Sequence, residues 1–115
     1  MPEYLVLIYG NEEAWAKSGQ EGMDRAMKEH TEFGEQNGKA LRGGNALQDT
    51  TTATSIRSDG AGGYTVTDGP FAETKEALGG YYVIEADDLD GAIEVAKKVP
   101  ARFGGVEVRP TVLFE

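Results

Sequence analysis

The segment Tyr4-Leu5-Val6-Leu7-Ile8-Tyr9 is apolar at every position. A strand with one face in water alternates apolar and polar residues, whereas this segment has no polar position. Both faces of the predicted strand therefore need cover. A second apolar run, Tyr81-Tyr82-Val83-Ile84, has the same property and predicts a second strand within residues 77–86. These two strands decide the fold, and the other elements are predicted around them.

The first long helix is predicted to follow Ser18, which fits an N-cap with Glu21 three residues later. Gly38 stands where a glycine that ends a helix is expected. The apolar stripe of this helix consists of Met23, Ala26, Met27, His30, Phe33 and Gly34. Residues 11–17 are predicted as a polar connection, helical for a turn at most. In that connection Trp15 is expected to cover the core rather than to hold a ligand.

A second helix is predicted to begin after Asp87 or Asp88 as its N-cap and to stop before Pro100. Its buried stripe consists of Leu89, Ala92, Ile93 and Ala96. Beyond it, residues 106–112 alternate and predict a strand with one buried face. Pro110 within that strand favours a position at the edge of the sheet.

The middle of the chain predicts weaker strands. Residues 43–48 predict a glycine-containing strand, in which the glycines either form a bulge or let another group approach the backbone closely. Residues 52–57 and 64–67 are rich in β-branched residues and predict two strands. The glycine-rich segment 58–63 joins them, so that the pair is predicted to form a hairpin.

The resulting order is βαββαβ with an inserted hairpin, which is the plan of a ferredoxin-like α+β domain. Two helices cover only one face of the sheet, although both central strands are apolar on both faces. The other face would be an apolar patch of roughly several hundred Å², larger than monomers usually carry. We therefore expect a homodimer with two sheets packed face to face, an assembly like a dimeric α/β barrel. A length of 115 residues predicts a single domain, residues 1–115.

The hairpin leads into Asp68-Gly69-Pro70-Phe71, and further charged residues follow at 73, 75 and 76. The Gly-Pro pair predicts a turn. Asp68 is either the side chain that stabilises this turn or a carboxylate of a functional site. Phe71 is interpreted as an apolar anchor that folds the loop back onto the domain. Glu73 and Lys75 are either solvated or part of a site, since loops of this kind often carry function.

The single histidine, His30, lies in the middle of the apolar stripe of the first helix and is expected to face the sheet. It is either a core residue bonded to a backbone carbonyl or a titrating group in a pocket between helix and sheet. A neighbouring carboxylate would hold its tautomer and prepare it for acid–base chemistry, and Asp68 is the candidate. Arg57 and Arg109 are either surface charges or cations that hold an anionic group at the site.

These residues resemble a known family. The segments that carry the resemblance are Asp68-Gly69-Pro70-Phe71, Glu73-Thr74-Lys75-Glu76, Gly79-Gly80-Tyr81-Tyr82 and Glu107-Val108-Arg109-Pro110, together with His30. Their pattern is similar to that of the DGPF proteins of the YCII-related family over nearly the whole chain. The resemblance implies a dimeric ferredoxin-like fold and an active site with an Asp and a His, here Asp68 and His30. It implies no particular reaction.

The composition excludes several classes of function. Twenty acidic and eleven basic residues give a net charge of −9, which disfavours nucleic acid and anionic membranes as partners. The absence of cysteine excludes disulfides and thiolate metal sites, and a lone histidine disfavours zinc. We expect neither a metal nor another cofactor. With no recognisable secretory signal and no apolar run of membrane-spanning length, a cytoplasmic protein is expected.

Two kinds of function fit these observations. The first is a small-molecule enzyme that transfers protons in an isomerisation, an elimination or cofactor-free oxygen chemistry, since no nucleophilic Cys, serine elbow, Rossmann or P-loop pattern occurs. In it, His30 is the acid or base and Asp68 orients it. The residues expected around the substrate are Arg57, Phe71, Glu73, Lys75 and Arg109. The alternative is a non-catalytic module, either a ligand sensor or an accessory that binds a partner.

Overall fold

The computed structural model of the chain describes residues 2–114 and contains eight main elements. In chain order they are β1 (Glu3–Gly10), α1 (Glu12–Gln36), β2 (Leu41–Ala46), β3 (Thr54–Ser58), β4 (Tyr64–Asp68), β5 (Ala77–Glu85), α2 (Leu89–Ala96) and β6 (Gly104–Pro110). A short 3₁₀ turn, Thr50–Thr52, precedes β3. The domain is therefore α+β, and its elements follow the predicted order.

Four strands form one antiparallel sheet in the order β2-β5-β1-β6. The two apolar runs of the sequence are its two central strands, as predicted. In their register Tyr4 lies opposite Ile84 and Val6 lies opposite Tyr82. Because neighbouring residues of a strand point to opposite faces, these four side chains share one face of the sheet.

The two faces of this sheet differ in their cover. On the helix side, Tyr4, Val6 and Ile84 are buried. They form the core with Phe33 of α1, with Ala92 and Ala96 of α2, and with Ala86 and Val99. The opposite face, which we call the open face, carries Leu5, Leu7, Tyr81 and Val83, and all four are only half-buried. Both faces of β1 are apolar, as predicted, but the helices of the chain cover only one of them.

The predicted start of the first helix is wrong. α1 begins at Glu12, because the side chain of Asn11 accepts a hydrogen bond from the Ala14 backbone N–H at 2.8 Å and caps the helix there. Ser18 instead donates to the Trp15 carbonyl oxygen at 2.7 Å. Gly19, with φ of 63°, interrupts the helical backbone, so α1 consists of two helical segments joined at this glycine. The Ser18 signal therefore marks this kink and not the helix start.

Other boundaries differ by a few residues. α1 ends at Gln36 with Asn37 as its C-cap, and the Asn37 side-chain amide donates to the Phe33 carbonyl oxygen at 2.9 Å. Gly38 follows directly after this cap, at the position predicted for a glycine that ends the helix. Asp88 is the N-cap of α2, as one of the two alternatives had it, and accepts from the Gly91 N–H at 2.9 Å. Pro110 is the last residue of β6, which is an edge strand as predicted.

β3 and β4 pair only with each other and form a separate two-stranded sheet, which we call the arm (residues 54–68). At its base the Ser55 hydroxyl donates to the Gly69 carbonyl oxygen at 2.6 Å, and the Gly69 N–H donates to the Ala53 carbonyl oxygen at 2.8 Å. The radius of gyration is 16.1 Å, against about 13 Å for a compact domain of this length. The radius of gyration is therefore larger than that of a compact domain, and the arm extends the molecule beyond its four-stranded sheet and helices.

Within residues 2–114, neither helix combines the length and the apolar character that a bilayer crossing needs.

Candidate functional site

A cavity of about 440 Å³ lies between α1 and one end of the four-stranded sheet. The residues that line it include Ile8, Trp15, Met23, Met27, His30, Tyr81, Tyr82 and Phe103. Met23 and Met27 belong to the stripe predicted to be core, yet they are 50% and 67% exposed. Four of the six residues of that stripe therefore line a cavity, while Phe33 near the end of the helix is buried in the core.

Trp15 and Phe103 form one wall of the cavity. Their rings meet edge to face with centroids 4.7 Å apart, a favourable geometry for an aromatic pair. The Asn11 N–H donates to the Phe103 carbonyl oxygen at 3.0 Å and fixes the start of α1 beside this wall. Trp15 thus packs on a neighbour, as expected of a covering residue, and it also contacts the cavity.

The rim next to the arm is held by Glu12. Its carboxylate accepts one hydrogen bond from the Thr50 N–H at 2.8 Å and another from the Thr50 hydroxyl at 2.5 Å. Leu47, Gln48 and Asp49, directly before Thr50, line the cavity, and so does Ala77 at the start of β5. The two chain segments that lead into and out of the arm region therefore both pass along the cavity rim.

His30 lines this cavity and is bonded to Tyr82. Its Nδ1 lies 2.8 Å from the Tyr82 hydroxyl oxygen, and the two rings are tilted with centroids 5.8 Å apart. In the neutral imidazole with its proton on Nδ1, the ring donates to the Tyr82 hydroxyl oxygen and Nε2 carries the free electron pair. The interpretation that His30 faces a pocket between helix and sheet agrees with this geometry. The alternative, a core histidine bonded to a backbone carbonyl, does not describe Nδ1, because its partner is the Tyr82 hydroxyl.

Burial sets the protonation state of this pair. Partial burial lowers the pKa of His30 below its ordinary 6.5, and the negative charge of Glu29 opposes part of that effect. Burial also raises the pKa of Tyr82 above 10.0. Both shifts favour the uncharged forms. Near neutral pH the pair is therefore a free imidazole base beside a protonated phenol.

The second nitrogen of His30 is open to the cavity. Within residues 2–114, no side-chain or backbone group bonds to Nε2, and no fully buried side-chain polar atom lacks a partner. Nε2 is therefore not fully buried, and its ring belongs to a residue that lines the cavity. A molecule bound there would meet a nitrogen whose ring is held in place from the other side by Tyr82.

A bulge in β2 makes room for Tyr82. The register between β2 and β5 shifts between Leu41 and Gly43, and Gly44 has φ of 159°. A Cβ atom at Gly44 would lie 2.6 Å from the Tyr81 carbonyl oxygen and 2.8 Å from Cδ1 of Tyr82. The two alternatives for these glycines, a bulge or a close approach, are thus both realised, and the close approach is that of Tyr82.

Comparison with known proteins gives the family. The YCII-related domain profile matches residues 2–115. This chain belongs to the YCII-related domain family. It is also 37% identical over 122 aligned residues to an uncharacterised protein of Rhizobium meliloti (strain 1021), an alignment that covers 97% of this chain and 94% of the relative. The family expected from the sequence motifs is confirmed.

In this YCII-related domain, Asp68 and His30 do not meet within one chain. Asp68 is exposed at the end of β4, where it lies opposite Thr54 in the arm. It does not line the cavity, and the partner of His30 is Tyr82. The physical reason is that β4 pairs with β3 and not with the four-stranded sheet, so Asp68 stays with the arm.

The other predicted residues also lie outside the cavity of their own chain. The Arg57 guanidinium stacks over the Phe71 ring at 4.7 Å from its centroid, and Phe71 remains exposed on the surface. The predicted anchoring of Phe71 onto the domain is therefore wrong, because its ring contacts the arm. Glu73 and Lys75 are exposed in the loop between β4 and β5.

Arg109 lies on the open face, opposite Leu5 of β1. Its guanidinium pairs with the Glu107 carboxylate, which raises the pKa of Arg109. His30 is on the other side of the sheet, so Arg109 does not reach the cavity of its own chain. The interpretation of Arg109 as a surface charge is the one that this geometry supports.

Sequence reasoning placed Tyr82 in an apolar strand and gave it no role in the site. The signal that it carries chemistry is the glycine pair before it, since Gly79 and Gly80 line the cavity beside it. Phe103 was missed because it lies in a loop with no pattern. Only the packing of Trp15 against it identifies it as a wall.

Proposed function

We propose that this protein binds a small, largely apolar molecule in the cavity beside His30 and accepts a proton from it at Nε2. The observation that carries the proposal is the His30–Tyr82 pair at the wall of a mostly apolar cavity. A volume of about 440 Å³ lies within the range of about 300–1,000 Å³ that is usual for ligand pockets. The lowered pKa of His30 supports a free base at neutral pH.

The chemistry of the wall suggests the class of ligand. Trp15, Phe103 and the two methionines favour an aromatic or aliphatic body. The imidazole favours one acidic hydrogen, either a hydroxyl or a C–H next to a carbonyl. The proton would move to Nε2, the ligand would become an anion, and Tyr82 would hold the ring in place. Return of the proton to another atom would complete an isomerisation.

A chromophoric phenol tests binding and proton transfer together. 4-Nitrophenol becomes yellow when it ionises, and the single histidine gives one imidazole signal in NMR spectra. We expect 4-nitrophenol to shift the His30 signal and to bind about tenfold more weakly to His30→Gln. Phe103→Ala should weaken binding, whereas Phe71→Ala, outside the cavity, is the matched control. Equal binding to wild type and His30→Gln would overturn the proposal.

A carbon acid distinguishes catalysis from sensing. The protein in D₂O should speed the exchange of deuterium into the CH₂ group of phenylacetone, followed by NMR, and His30→Gln should lower that rate by about a hundredfold. Binding of 4-nitrophenol without any exchange would favour the alternative, a ligand sensor or accessory module without catalysis.

We also propose that the fold is ferredoxin-like and that the protein is a homodimer. The strand order β2-β5-β1-β6 supports the first part, and the apolar open face supports the second. Leu7→Arg on the open face should dissociate the dimer, as measured by analytical ultracentrifugation, while the exposed Glu94→Arg on α2 should not. A wild-type protein that sediments as a monomer at micromolar concentration would contradict the dimer.

A further inference from the structure

The arm has an apolar face that its own chain does not cover. In its register Ile56 lies opposite Val66, Ser58 opposite Tyr64 and Thr54 opposite Asp68. Alternation along each strand places these six side chains on one face. Ile56, Tyr64 and Val66 are all exposed. Three of the six side chains are therefore exposed and apolar, two are uncharged and polar, and Asp68 at the base is the one charged residue of the face.

An isolated two-stranded hairpin is marginally stable in water, so this face needs cover. The accessible surface of the chain is 8296 Å², whereas a compact monomer of 12.3 kDa exposes about 6,100 Å². The excess of about 2,200 Å² matches what one subunit of an obligate homodimer buries, roughly 1,000–2,500 Å². The area points to a second copy of the chain as the cover.

The cavity offers the complementary surface. Its mouth carries the exposed side chains of Met23 and Met27, which have no charge to oppose an apolar contact. Tyr81, whose side chain lies on the open face, is also among the residues that line the cavity, so one stretch of β5 borders both the cavity and the face that we propose to be the dimer interface. The arm leaves the domain from the rim of the cavity, and a two-fold axis that sets one arm on the partner's cavity does so for both.

We propose that the arm of one copy closes the cavity of a second copy, so that Asp68 enters the site of the partner's His30. The part of the proposal that concerns the site rests on the proposed function of the cavity. Ile56 and Val66 pack on Met23 and Met27 across the interface. The Asp68 carboxylate joins Glu29 and Tyr82 as the groups that face His30, and each site is complete only in the dimer.

Engineered disulfides test which copy the arm contacts, and they are unambiguous because the chain has no cysteine. Val66→Cys and Met27→Cys variants, one of them labelled with ¹⁵N, are mixed and oxidised. We expect a covalent dimer of one labelled and one unlabelled chain on a non-reducing gel and in the mass spectrum. Val66→Cys mixed with Glu94→Cys on α2 is the matched control and should give little of it. A chain that carries both Val66→Cys and Met27→Cys gives a second test. A disulfide formed only within one such chain would overturn the proposal, as would the absence of any disulfide between folded chains.

Mixed dimers test the site itself. Wild-type chains with labelled histidine are combined with unlabelled Asp68→Asn chains, and the labelled His30 is titrated by NMR. We expect its pKa to fall relative to the wild-type dimer, because the partner's carboxylate stabilises the imidazolium. No change in this mixture, with a change when the labelled chain itself carries Asp68→Asn, would overturn the proposal. Failure of 4-nitrophenol to bind while the disulfide forms would reject the ligand proposal and leave the arm contact in place.

Discussion

The central sheet and the arm both consist of antiparallel strands that contain β-branched and aromatic residues, but the burial of these residues is opposite. Val6 and Ile84 of the sheet are fully buried, whereas Ile56 and Val66 of the arm are 57% and 65% exposed. β-Propensity favours strands in both regions. The difference shows that a strand becomes part of a core only where distant elements cover it.

The largest expected effect is a loss of stability from a substitution in the buried core of the central sheet. Ile84→Ala should lower the free energy of unfolding by about 2–5 kcal/mol, since it leaves a cavity in a fully packed core. Ile56→Ala should change the unfolding of the isolated chain by less than about 0.5 kcal/mol and should instead weaken dimerisation. Denaturant titrations at low and high protein concentration separate the two. Similar losses at every concentration would mean that the arm packs within its own chain.

A smaller effect concerns glycines in the two regions. Gly44→Ala should destabilise the protein by about 1–3 kcal/mol, because the new methyl group meets the Tyr81 carbonyl oxygen and the Tyr82 ring. Gly60→Asn in the loop of the arm should be tolerated, since φ of 81° suits asparagine and nothing lies within 4 Å. Thermal unfolding of the Gly44→Ala and Gly60→Asn variants measures both effects on stability. A harmless Gly44→Ala would show that β2 moves freely away from Tyr82.

Tyrosine hydroxyls give a more modest contrast. Tyr82→Phe should lower the free energy of unfolding by about 0.5–1.5 kcal/mol through loss of the bond to His30. It should also change the ¹⁵N shifts of the imidazole, because the bond selects the tautomer. Tyr64→Phe in the arm, where the side chain is exposed, should alter neither. Unchanged ¹⁵N shifts in Tyr82→Phe would argue against the pairing.

The smallest expected effects are two losses of stability on acidification, with opposite physical causes. Burial lowers the pKa of His30, so the unfolded chain takes up its proton first and stability falls as the pH drops below 6.5. In the arm, hydrogen bonds from the backbone N–H groups of Ala61 and Gly63 lower the pKa of Asp59, so its contribution is present above 3.8 and is lost below it.

Denaturant titrations between pH 8 and pH 3, a range that spans the ordinary values of 6.5 and 3.8, check this contrast. His30→Gln should remove the first loss and leave the second. Asp59→Asn should do the reverse. If the wild-type protein became more stable between pH 7 and pH 6, the pKa of His30 in the protein would be raised, and the assignment of a free base would be wrong.

Local sequence signals account for most of the fold. The order of elements, the two central strands, the Asp88 cap and the hairpin were all predictable, because each depends on residues that are close in sequence. The start of α1 was not, since Ser18 and Asn11 are both good caps and only the positive φ of Gly19 shows how the two helical segments join. The site was predictable at His30 alone, from its place in the apolar stripe.

By itself the sequence determined the family, the α+β order and the inward direction of His30, because motif, period and capping are properties of short segments. The tertiary structure alone decided that Met23 and Met27 line a cavity, that Tyr82 is the partner of His30, and that Asp68 remains on an arm. These outcomes depend on which strands pair across long stretches of chain. A short-range pattern cannot specify such a choice, because β-branched and aromatic residues favour a strand in a sheet centre and in a free hairpin alike.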